Sequence, residues 1–253
     1  MAETKVFPPR ISEALIKSVF TLGRLRNDVA VPTSQITIFS GFRVGDVDGG
    51  DIIETTSTLT LNMAVVGANG RDAGSIASST WYYIYLIKQA GGTVASLAST
   101  SYTSPTMPSG YVYKRIIGAI KTSGTTLIRI EQAGNQVVYT TAVNEFTGSF
   151  PGSLNDYHLD GEVPKCSLHV LLGFYIYCYD GDNGSYYYAP AQLYNGSSNH
   201  FLGAACQAHD DNDNSKVFNS VWLPIDENQY VCIGSSGDRS DSGVRVQGYT
   251  IDP

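Results

Sequence analysis

Three acidic loops are the first places where this chain could do chemistry. Asp46, Asp48 and Asp51 lie within six residues, Asp180 and Asp182 flank a glycine, and His209–Asn214 reads HDDNDN. Asp210, Asn212 and Asn214 have the alternate spacing that opens a calcium loop, in which carboxylate and amide oxygens ring the ion. The next residues, Ser215-Lys216-Val217, supply neither the glycine nor the distal glutamate of an EF-hand. Asp and Asn also close turns with their own side chains, so each loop has a metal-free reading beside the calcium one. No cofactor is expected.

Hydrolytic chemistry has less to stand on. The sequence has no G-x-S-x-G elbow, no H-E-x-x-H and no phosphate-binding G-x-x-x-x-G-K-[ST]. Glycan cleavage needs two facing carboxylates, and Glu54, Glu131, Glu145 and Glu162 occupy no distinctive context. The chain is expected not to be an enzyme. Surface recognition has more candidates: Tyr187, Tyr194 and His200 sit beside Gly/Asn/Ser loops, the residue set of adaptable binding surfaces, and aromatic faces suit sugars. The competing reading packs the alternate tyrosines of Tyr186–Tyr188 into a core.

The four cysteines are far apart with no C-x-x-C pair, and three fall in apolar or aromatic runs. That pattern fits reduced thiols acting as small hydrophobes. Formal net charge is −7, which argues against nucleic acid as a partner, because phosphate neutralisation supplies most non-specific affinity. No run approaches the roughly 20 apolar residues of a membrane span, and MAETKVFPPR lacks a signal-peptide pattern. The expectation is a chain made and folded in a cytosol, without membrane insertion.

These residues need elements to hold them. Charged residues are only 15%, against about 25% in an average domain, while Gly (26) and Tyr (17) are abundant, a composition suited to strands and turns. Ile11, Ala14, Leu15, Ser18, Val19 and Leu22 step at three- and four-residue intervals behind Pro8-Pro9 and predict a short amphipathic helix. With Arg10, Lys17, Arg24 and Arg26 it carries the one basic cluster noticed, either a docking strip for an acidic surface or a solvated face. From residue 36 the period becomes two: Gln35–Ser40 and Thr56–Met63 alternate, and Trp81–Ile87 (WYYIYLI) reads as a strand buried on both sides. Short strands separated by glycine turns predict a sandwich or barrel. The organisation expected is an N-terminal helical anchor over 1–35, a β-sandwich over 36–145, a linker over 146–165 and a jelly-roll-like sandwich over 166–253, all-β beyond the anchor.

Four runs follow one another in order: Val66–Ser75 (VGANGRDAGS), Thr80–Ile87 (TWYYIYLI), Ser99–Tyr111 (STSYTSPTMPSGY) and Lys114–Ile120 (KRIIGAI). With them, residues 36–140 resemble a segment of tailed-bacteriophage structural proteins. A looser likeness extends to Val221–Tyr230 and Val246–Tyr249. It implies a non-enzymatic virion protein, a homotrimeric head or tail fibre or appendage contacting other virion proteins of head, collar or tail. Ile11, Leu15, Val19, Leu22, Arg24 and Arg26 would then dock on the particle. The C-terminal domain, with Tyr187, Tyr194 and His200, would meet a host-surface glycan or protein. A decoration protein that cements a capsid or tail without a receptor is the alternative, and a carbohydrate-active tail enzyme a remote one. The signature residues also have a mechanical reading: Gly67, Gly70, Gly74 and Gly110 as positive-φ turns, Pro105 and Pro108 as stiffeners, and Trp81, Tyr82 and Tyr83 as core.

Overall fold

A computed structural model describes residues 20–147, 155–178, 184–190, 215–237 and 241–252, and these are all-β. The chain divides into two compact units, one ending at Ile128 and rejoined by Gln132–Gly134, the other formed by Arg129–Glu131 and Asn135–Asp252. The change of unit falls at 129–135, where Ile130 and Gln132 are buried while Glu131 and Ala133 are exposed, the alternation of a strand.

In the first unit, β1 (Phe20–Thr21), β4 (Arg43–Gly45) and β5 (Ile52–Glu54) form one antiparallel sheet, β4 in the middle. β2 (Arg24–Asn27), β3 (Gln35–Ile38) and β6 (Leu59–Asn62) pair antiparallel in that order. β7 (Gly70–Arg71), β8 (Trp81–Gln89), β9 (Val94–Ser99), β10 (Tyr111–Ser123) and β11 (Thr126–Leu127) make a five-stranded sheet of order β11-β10-β8-β9-β7. Six consecutive residues of β8, Tyr82–Ile87, are buried, as the aromatic and β-branched run predicts for a central strand. A β-carbon at Gly118 of β10 would lie 2.8 Å from Cδ2 of Leu25 on β2, so the Leu25 side chain seats on the Gly118 backbone.

The strand at Phe20–Thr21 corrects the C-terminal end of the expected helix, whose stripe runs to Leu22, and a second strand follows at Arg24–Asn27. Leu25 and Asn27 turn inward while Arg24 is exposed and Arg26 half-buried, a period of two that outweighs the helical spacing of Leu22 with what precedes it. Leu22, Arg24 and Arg26 are therefore not on a helix. Ile11, Leu15 and Val19 lie outside the described residues.

In the second unit, β13 (Gln136–Thr147), β15 (His169–Cys178), β17 (Ser215–Pro224) and β19 (Asp241–Thr250) lie in the order β17-β15-β19-β13. β12 (Ile130–Ala133) precedes them where the chain changes unit. A three-stranded sheet holds β14 (Asn155–His158), β18 (Tyr230–Gly237) and β16 (Gly184–Pro190), with β18 central. β15 runs in unbroken register with β17 from His169↔Pro224 to Cys178↔Ser215. Phe174 of β15 stacks on Tyr188 of β16 at 5.2 Å between ring centres, both buried, which joins the two sheets of this unit in sandwich fashion.

Candidate functional site

Most of the residues singled out for recognition or metal lie beyond the described set. Tyr194, His200, Asp210, Asn212 and Asn214 are outside it, and Tyr187 is placed only by its backbone, opposite Gly234 in the β16–β18 pair. Arg24 and Arg26 are described, and the structure brings them together.

Alternation along β2 sends both arginines to the side opposite Leu25. Each guanidinium carbon lies 5.5 Å from the centre of the Phe39 ring, so two cations share one aromatic side chain. Phe39 is held there because its N–H donates to Arg24 O at 3.0 Å just past the end of β3. The adjacent Asp28 is committed elsewhere: its Oδ1 accepts from Val31 and Ala30 N–H (3.0 and 2.8 Å) and its Oδ2 from the Thr37 hydroxyl (3.0 Å). Those bonds, Val31 and Ala30 first, with a smaller contribution from Arg26, hold its carboxyl below the ordinary value. Among the described residues no carboxylate forms an ion pair with either arginine, and Arg26 Nε is buried without a hydrogen-bond partner. Guanidinium groups so placed offer planar forks to a carboxylate on another surface.

A second feature went unnoticed in the sequence. Val47, Tyr85, Tyr102, Lys114, Arg115 and Ile116, with Thr103, line a half-open cleft of about 230 Å³. The Tyr85 hydroxyl lies 2.8 Å from both Ser101 O and Tyr102 O, which fixes the loop after β9 and leaves Tyr102 at 38% exposure, its ring 5.3 Å from that of Tyr83. The acidic loop closes on β10 at the same cleft: Lys114 N–H donates to Asp46 Oδ1 at 2.8 Å, and Val47 N–H to Lys114 O at 3.1 Å. Asp46 Oδ2 takes Asp48 and Gly50 N–H, both at 3.3 Å. Asp51 Oδ2 takes the Lys88 ammonium at 2.7 Å. The carboxylates of Asp46 and Asp51 thus already hold donors, in the manner of the turn reading, and among the described residues no three His, Cys, Asp or Glu converge on a metal position. Lys114 Nζ lies 3.4 Å from Thr103 O, and among the described residues it forms no ion pair.

The segment 63–74 between these features is a clip. Arg71, 6% exposed, donates from Nε to Met63 O at 2.5 Å and from Nη1 to Gly74 O. Asp72 Oδ2 accepts from Ser99 Oγ (2.6 Å) and Thr106 N (3.0 Å). Asn69, at φ 60°, accepts from Ser96 N and Oγ (2.9 and 3.1 Å). Gly67, Gly74 and Gly110 take positive φ as expected, but Gly70 does not: it is small because a β-carbon there would lie 2.5 Å from Val65 O. Pro105, Tyr82 and Tyr83 are buried, whereas Trp81 is only half-buried.

With this geometry in place the class is plain: an all-β chain of two compact units, carrying a basic aromatic face and a tyrosine-lined cleft in the first. Neither a family model nor a curated protein matches the chain.

Proposed function

We propose that the chain is a non-enzymatic structural component of a tailed-phage virion, a homotrimeric fibre or appendage. It docks on the particle near its N-terminus and presents its C-terminal unit to a host surface. The resemblance of residues 36–140 supports the class. The observation that carries the docking half is the Arg24–Phe39–Arg26 face, a fixed pair of cations on the outer side of a short strand in a chain of net charge −7. Local positive charge on an acidic protein favours one orientation against an acidic neighbour, which sets register and encounter rate. The clip at 63–74 fits a mechanical role, since Arg71 and Asp72 spend their polar groups inside the unit.

The test is charge reversal at the exposed member of the pair. Arg24→Glu should leave the melting temperature near that of the parent, because Arg24 is exposed and faces away from Leu25, yet lower copy number on particles by about tenfold or more. Normal incorporation of the folded Arg24→Glu variant would remove this face from the docking proposal.

A further inference from the structure

The cleft over β8 and β10 has the makings of a binding site, and we propose that it takes one acidic sugar unit, a uronic-acid-type residue of a glycan. The inference concerns the first unit alone and stands whether or not the chain is a virion part. Three observations converge. The cavity, about 230 Å³, is smaller than the roughly 300–1,000 Å³ of sites for drug-sized ligands, so it fits a single ring. One wall is aromatic, with the half-exposed Tyr102 beside Tyr85, and a flat ring face packs against the C–H face of a pyranose.

The cleft is also cationic. Lys114 and Arg115 both line the cleft, and the nearest acidic loop does not neutralise Lys114: Asp46 is turned onto the Lys114, Asp48 and Gly50 backbone amides. A carboxylate on the ring would meet the Lys114 ammonium, a charge-assisted contact stronger than a neutral one. The walls are also built in advance. The Tyr85 hydroxyl holds the Ser101–Tyr102 backbone, and Asp72 anchors Thr106 further along the same loop, so little ordering is left for the ligand to supply. A bare anion would leave the tyrosine wall unused, and a neutral sugar would leave the ammonium unused.

The experiment is titration calorimetry with saturation-transfer NMR on the full chain, using D-glucuronate, D-glucose and acetate as probes. Glucuronate should bind saturably, with glucose and acetate each about tenfold weaker or worse. Lys114→Gln should lower glucuronate affinity about tenfold, Tyr102→Ala should lower it by a similar factor, and Lys165→Gln on the other unit should change nothing. Tyr102→Ala serves as the second variant should Lys114→Gln lower the melting temperature, because Tyr102 lies on a loop outside the strands. Absence of saturable glucuronate binding overturns the proposal. Equal binding of glucose overturns the acidic class, equal binding of acetate overturns the sugar, and unchanged affinity in both folded variants removes the site from the cleft.

Discussion

Arg71 sits among carbonyls rather than carboxylates, and its worth lies in the fork. Its guanidinium satisfies Met63 O and Gly74 O from one rigid plane, which a lysine ammonium on a flexible stem cannot reproduce. Arg71→Ala should cost about 2–4 kcal/mol in denaturant unfolding, through a cavity and two stranded acceptors, and Arg71→Lys should recover only part. The Lys88–Asp51 contact makes a pH prediction. Burial opposes ionisation of Asp51, but the Lys88 ammonium and the Ile52 N–H outweigh it, so the carboxyl titrates below its ordinary value of 3.8. A depressed carboxyl pKa stabilises the fold above the unfolded value and loses that stabilisation as pH falls through the folded one. Melting temperature should therefore fall on acidification below about pH 4, and Lys88→Met should flatten that fall. Cys166 and Cys232 show the opposite shift: burial pushes both thiols up to about 12, aided at Cys232 by the Asp156 carboxylate that accepts its S–H at 2.7 Å. Iodoacetamide at pH 8 should leave both unmodified in the native protein and label them once it unfolds, since only the thiolate attacks.

At the scale of elements, how legible each piece was depended on whether its signal was local. Tyr82–Ile87 declared a central strand because six apolar residues in a row have no solvent face to spare. Gln35–Ile38 declared a half-buried one by alternation. Arg24–Asn27 misled because its alternation spans only four residues and abuts a stretch with helical spacing; Leu25 shows its direction only once Gly118 and Ile84 are in place. The cleft was illegible for a different reason. Tyr102 and Lys114 are close only because β8 lies between β9 and β10, and each residue alone resembles packing or solvated charge. Gly70 was read as a turn residue and is a contact residue. Gly70→Ala should destabilise by about 1–3 kcal/mol, because the obstacle is the Val65 carbonyl and not a side chain that can swing away. Gly91→Ala, with open space around it, should be neutral or slightly stabilising in the same melt.

At the scale of the whole molecule, the proposed virion role calls for contacts between copies of the chain. A trimer would cover strand edges and apolar side chains such as Phe218, 67% exposed on β17, where a monomer leaves them to water. Sedimentation equilibrium of the full chain should accordingly give three times the single-chain mass. The most direct test of the central claim is quantitative mass spectrometry of purified phage particles from cells producing this chain. A structural component predicts the chain in every preparation at a fixed copy number, a multiple of three, that survives repeated banding. A chain abundant in the lysate yet absent from the particles would contradict the virion reading.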